Sequence, residues 1–153
     1  MIQRIFETHI NVRSLERAMD FYGNVLGLQL GTMELVRRVA FYWVGGHNVS
    51  MLGLWEKPPG EIPRQHFAFQ ISIADFENAM RLLRDNRIRF HNFLNDGTER
   101  PMVFGWMPAV SIYFPDPDGH ELEFIVPLAD KPRPEVGVVP WEEWRSICDS
   151  PVA

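Results

Sequence analysis

The stretch Pro115-Asp116-Pro117-Asp118-Gly119-His120-Glu121-Leu122-Glu123-Phe124-Ile125-Val126 runs a hard turn straight into an alternating strand that carries a carboxylate. Asp-Pro-Asp-Gly is turn chemistry: proline presets φ, aspartate caps its own backbone, and Gly119 tolerates the positive φ that closes the turn. Beyond it the alternation puts Leu122, Phe124 and Val126 on one side and Glu121, Glu123 and Ile125 on the other. A solvent-facing strand does not account for Ile125 on the acidic side, whereas a half-buried cavity accounts for both residue types. Glu123 therefore reads as a buried acid, and a buried acid needs a partner, a proton or a metal.

Upstream of this stretch, residues 66–73 alternate as a strand that begins with His66, and residues 75–86 follow as a helix with Phe76, Ala79, Met80 and Leu83 in its apolar stripe. The same order occurs earlier in the chain. Residues 4–12 alternate, with Phe6, Thr8, Ile10 and Val12 on one side and Glu7, His9 and Asn11 on the other. Ser14 is an N-cap, and Leu15, Ala18, Met19, Tyr22 and Leu26 keep helical spacing until Gly27 stops the helix. Ser14-Leu15-Glu16-Arg17-Ala18-Met19 aligns with Asp75-Phe76-Glu77-Asn78-Ala79-Met80, and each helix follows a strand that contains histidine. Such a repeat means two copies of one unit. Three strands complete the first copy (28–33, 36–44 and 49–55) and three the second (88–93, 110–114 and 121–126). The reading is an α+β protein: a first βαβββ module over 1–56, a linker over 57–65 where Pro58, Pro59 and Pro63 forbid a regular element, and a second βαβββ module over 66–127. Residues 95–108 form a long loop within the second module. Residues 128–153 are a proline-rich tail with a short helix from Trp141 to Ile147, whose Trp and Ile side packs on the domain, the favoured reading, or on a partner.

The 153 residues are 46% apolar, enough for a core. A net charge of −5 without a basic run argues against nucleic acid and against an anionic membrane surface, which leaves small molecules or proteins as partners. The single Cys148 suits a reducing cytoplasm. No run approaches the roughly 20 apolar residues of a membrane-spanning helix.

The tandem unit, the string Leu15-Glu16-Arg17-Ala18-Met19-Asp20-Phe21-Tyr22 with Val25-Leu26-Gly27, the strand His66-Phe67-Ala68-Phe69, and Asp116-Pro117-Asp118-Gly119-His120-Glu121-Leu122-Glu123 together resemble the vicinal oxygen chelate superfamily over about residues 4 to 127. That group includes glyoxalase I, extradiol dioxygenases, the fosfomycin-resistance enzymes and the metal-free bleomycin-resistance binding proteins. The resemblance implies two modules forming a cupped mixed sheet with a divalent metal (Zn, Ni, Mn or Fe) on its concave face. It places ligands at His66 and Glu123. In the first strand it falls by register on Glu7, with His9 about 7 Å further along the same face as the other candidate. The remaining ligand position falls on Ser50 or Met51, neither a ligand for a hard cation, so three protein ligands and open positions remain.

The function these residues imply is a glyoxalase I-like, metal-dependent lyase or isomerase in which Glu7, His9 and Glu123 are the candidates for moving a proton. An extradiol-type dioxygenase or a fosfomycin-resistance-like enzyme is the alternative, the latter resembled locally by Ser111-Ile112-Tyr113-Phe114. From another class comes a metal-free protein that sequesters an apolar ligand, commonly as a homodimer. Phe104 and Trp106, on the long loop with Met102 and Met107, are expected to contact an apolar part of a substrate, with Tyr113 among the pocket aromatics. Arg37 or Arg38 is expected to point inward to an anionic group. An ion pair of Glu123 with Arg64 or Arg100 is the structural alternative to metal binding. His47 and His120 are expected at solvated turns.

Overall fold

A computed structural model describes residues 1–149. It divides into two compact units, Met1–Gln65 together with Asp116–His120, and His66–Pro115 together with the chain from Glu121 onward.

The first unit runs β1 (Glu7–Val12), α1 (Leu15–Met19), β2 (Gln29–Glu34), β3 (Val39–Val44) and β4 (Ser50–Glu56). Its mixed sheet has the order β1-β4-β3-β2, with β1 parallel to β4. Alternation decides what each strand buries: Ile10, Val12, Leu52, Leu54, Ala40 and Tyr42 form one face with Leu15, Ala18, Phe21 and Tyr22 of the helical segment over it. Each such aliphatic side chain contributes about 1.5–3 kcal/mol of burial. Ser14 caps α1, its hydroxyl accepting from the Arg17 N–H. After Met19 the helix widens into a π turn over Asp20–Val25 and ends at Gly27, which has φ +75°. A second cap comes from β4, where the Glu56 carboxylate accepts the Leu15 N–H at 2.7 Å and also pairs with Arg38.

The Asp116–His120 turn belongs to this unit through its side chains. Asp116 Oδ1 accepts the N–H groups of Asp118 and His120, both at 2.8 Å, and Oδ2 accepts the Tyr22 hydroxyl at 2.9 Å. Burial beside this carboxylate pushes the Tyr22 phenol far above its ordinary range. Gly119 has φ +88°, as the turn reading requires. One expectation is corrected here: His120 is fully buried, not solvated. Its Nδ1 accepts the Gln65 N–H at 3.2 Å and its Nε2 donates to the Asn11 carbonyl at 2.7 Å, so the ring serves as a neutral brace with both nitrogens used.

The second unit runs β5 (His66–Gln70), α2 (Phe76–Asp85), β6 (Met102–Phe104), β7 (Ala109–Pro115), β8 (Glu121–Pro127), β9 (Val138–Pro140) and α3 (Trp141–Asp149). The sheet order is β5-β8-β7-β6-β9, with β5 parallel to β8. Leu122, Phe124 and Val126 join Phe76, Met80 and Leu83 in the core. The expected strand over 88–93 is absent; only His91 makes a bridge, to Tyr113. Arg87 at φ 57° and Asn95 at φ 49° turn the chain at either side of it. The first strand after the helix is instead β6, inside what the sequence reads as loop, and Asn92 ties the preceding segment down by donating to Asp96 at 2.8 Å.

The tail docks on this unit. β9 pairs antiparallel to β6, with Val138 opposite Phe104. Trp144 is 1% exposed and donates its indole N–H to Asp130 at 2.9 Å, while Trp141 meets Phe76 edge-on at 5.5 Å. Residues 150–153 of the tail lie outside the described residues. Among the described residues no helix is long and apolar enough to cross a membrane.

Candidate metal and substrate site

Register places the chemistry of the second unit. His66 lies opposite Glu121 in β8, Ala68 opposite Glu123, and Tyr113 in β7 opposite Glu123 from the other side. Glu121, Glu123 and Ile125 therefore share one face with His66 and Tyr113, turned away from the core side that Leu122, Phe124 and Val126 fill.

His66 and Glu123 meet on that face. The His66 Nδ1 lies 3.0 Å from the Glu121 carbonyl, and since a carbonyl accepts only, this nitrogen carries the hydrogen. The other ring nitrogen, Nε2, lies 3.4 Å from Glu123 Oε2. Glu123 is 5% exposed and its other oxygen, Oε1, is buried without a partner. The ring reaches Oε2 alone; a cation held by the carboxylate would also meet the buried Oε1. A histidine held by a backbone carbonyl at Nδ1 with Nε2 free is how proteins prepare this ligand. The pair fits a divalent metal.

Tyr113 lies between two imidazoles, 5.8 Å from the His66 ring and stacked at 5.7 Å on that of His91. Burial holds its phenol well above the ordinary range, and the neighbouring Glu123 adds to this, so the hydroxyl stays a donor. His91 is oriented by the Asn92 carbonyl at 2.8 Å on Nδ1 and by the Glu121 carboxylate at 2.9 Å on Nε2. These residues, with Phe93, line a cavity of about 260 Å³. On the other side of Tyr113 lies a second cavity, of about 360 Å³, lined by Phe93, Phe104, Trp106, Met107, Tyr113, Glu123, Ile125 and Val138. Phe104, Trp106 and Tyr113 thus gather around Glu123, whereas Met102 is buried in β6. Sequence reasoning did not single out His91 or Glu121. The parity of Glu121 with Glu123 was a signal for one; nothing in the pattern pointed to the other.

The first unit holds Glu7 and His9 side by side on β1, Glu7 Oε1 lying 2.8 Å from His9 Nε2. The His9 ring packs at 5.8 Å from Phe41 and 5.6 Å from Trp55, directly over Gly53. A Cβ on Gly53 would lie 2.7 Å from His9 Cδ2, so glycine is what lets the ring lie there. Arg37 sits in the turn between β2 and β3, paired with Glu34 and placed over the Trp55 ring at 5.8 Å. Arg38 is committed to Glu56 and Glu16. Among the described residues no three of His, Cys, Asp and Glu are grouped closely enough to hold an ion.

The profile of the Glyoxalase/Bleomycin resistance protein/Dioxygenase superfamily matches residues 4–124. The metallothiol transferase FosB of Staphylococcus saprophyticus is 31% identical over 125 residues, covering 80% of this chain and 76% of that protein. FosB of Lysinibacillus sphaericus is also 31% identical over 125 residues, covering 80% and 82%. Among solved structures, the integron cassette protein HFX_CASS4 from the mobile metagenome of the Halifax Harbour sewage outfall is 34% identical, with a TM-score of 0.69 over 82% of this chain and 99% of that one. The fosfomycin resistance protein FosX of Mesorhizobium loti, 22% identical, shares the fold, with a TM-score of 0.60 over 84% of this chain and 96% of that one. The chain belongs to the glyoxalase/bleomycin resistance/dioxygenase superfamily, the vicinal oxygen chelate group.

Proposed function

We propose that this protein is a metal-dependent enzyme, nearest in chemistry to a glyoxalase I-like isomerase or lyase, in which His66 and Glu123 hold a divalent cation. The observation that carries this reading is the buried Oε1 of Glu123, without a hydrogen-bond partner, beside a histidine whose Nε2 faces the same carboxylate at 3.4 Å. A zinc, nickel, manganese or iron(II) ion there supplies Lewis acidity toward a substrate with two neighbouring oxygens. The Tyr113 hydroxyl, kept protonated by burial, donates to substrate oxygen as charge develops on it.

Thiol transfer is a second reading, favoured by the name that the FosB relatives carry. Supplying the metal-loaded protein with a thiol and an epoxide, and separately with a hemithioacetal, distinguishes addition from isomerisation. The single Cys148 supports a reducing, cytoplasmic setting, and a homodimer is the assembly expected. Elemental analysis tests the core of the proposal. Wild-type protein should carry about one ion per chain, and Glu123→Gln should weaken binding by orders of magnitude. Unchanged metal content in Glu123→Gln would refute it, and a wild type that stays metal-free after soaking would assign the fold to sequestration.

A further inference from the structure

We infer that the enzyme takes a substrate with an aromatic arm attached next to its metal-binding oxygens, and that the C-terminal tail completes the subsite for that arm through Val138. This rests on the metal-dependent reading above. The 360 Å³ cavity has Glu123 in its own wall, so apolar space begins at the ligand itself. Its size lies within the range of small-molecule pockets and is more than twice the roughly 150 Å³ that accommodates benzene in a protein interior.

Half of its lining residues are rings. Phe93 and Phe104 meet edge-on at 5.0 Å, Phe93 faces Tyr113 at 6.3 Å, and Trp106 and Met107 close the set with Ile125 and Val138. At the rim Phe93 is 52% exposed and Trp106 63% exposed. A contiguous apolar surface left open beside a buried carboxylate is the signature of a ligand, not of a finished core. The neighbouring cavity shares Phe93 and Tyr113 but is lined by His66, His91 and Glu121. A polar head and an apolar arm are thus accommodated on adjoining ground.

Val138 lies beyond the part of the chain that matches the superfamily, which ends at residue 124. It is in place because β9 pairs with β6, and that pairing depends on Gly105, which donates to the Gly137 carbonyl at 2.7 Å and accepts from the Arg133 N–H at 2.7 Å. Val138 is therefore the tail's addition to a wall whose other side chains come from the second unit's loop and strands.

The test titrates full-length, manganese-loaded protein with acetohydroxamate and benzohydroxamate, which chelate through the same two neighbouring oxygens and differ only in the arm. Benzohydroxamate should bind about 10–100-fold more tightly, the gain expected of burying a phenyl ring. The ratio should fall toward one in Val138→Trp, which fills the cavity, and in Trp106→Ala, an exposed position where folding is not at stake. Equal affinities in the wild type overturn the inference, as does a ratio that survives both variants. Should the protein take up no metal, the metal reading fails by itself; 2-naphthol, which needs no metal, should still bind and be excluded by Val138→Trp. Absence of 2-naphthol binding overturns the aromatic subsite. Benzohydroxamate binding that dissociates a dimer in sedimentation assigns these walls to a second copy of the chain and also overturns it.

Discussion

At the residue scale, the decisive features are small atoms in particular places. Gly53 allows His9 to lie flat on β4 between Phe41 and Trp55. Gly53→Ala brings a methyl group 2.7 Å from His9 Cδ2 and 3.1 Å from Phe41 Cε1 while leaving the β4 pairing untouched. This substitution should displace the His9 ring and break its pairing with Glu7. The His9 ring-proton resonances, compared with those in Glu7→Gln, check it. The acidic side of β8 was legible, because a period of two and one misplaced isoleucine are enough to suspect a cavity. The fate of His120 was not. Its burial comes from Asn11 and Gln65, residues remote in sequence that share no local pattern with the turn.

At the element scale, the strands that alternate strictly were legible and those that do not were missed. Residues 88–93 carry enough apolar character for a strand, but Arg87 and Asn95 at positive φ reduce it to a single bridge at His91. The partner for β7 comes instead from β6, only Met102–Phe104, too short to announce itself among prolines and glycines. β9 is recruited by β6, so its existence is a tertiary outcome and not a local propensity. Gly105 is the joint. A Cβ there would collide with the Arg133 carbonyl oxygen and lie 3.0 Å from that of Gly137, both backbone atoms that cannot swing aside. Gly105→Ala should cost about 1–3 kcal/mol and release the tail. The release should appear as a red shift in tryptophan emission, from the otherwise buried Trp144, and as new proteolysis within residues 128–149.

At the scale of the whole molecule, the duplication was legible because two helices of matching pattern each follow a histidine-bearing strand, and both units do form mixed sheets with the first strand parallel to the last of the module. The electrostatic balance adds a prediction for the chain as a whole. Glu16, Glu34 and Glu56 are held below the ordinary carboxylate range, first by hydrogen bonds from Arg38, Arg37 and Arg38 respectively, and Asp96 by Thr98. A carboxylate whose value is lower folded than unfolded adds stability that is fully present above its unfolded value, and this is lost as pH falls through the folded one. Stability should therefore hold from neutrality down to about pH 4.5 and decline below it. Most of these groups are exposed and screened, so each adds little. Glu56 is the exception in its wiring, since it accepts the first N–H of α1 as well as pairing with Arg38. Glu56→Ala should cost about 1–2 kcal/mol at pH 7, the loss of a helix cap and a charged hydrogen bond together. Urea midpoints at pH 7 and pH 3 check both statements: the variant should be weaker at neutrality and should show a smaller drop on acidification, because part of what acid removes from the wild type is already gone.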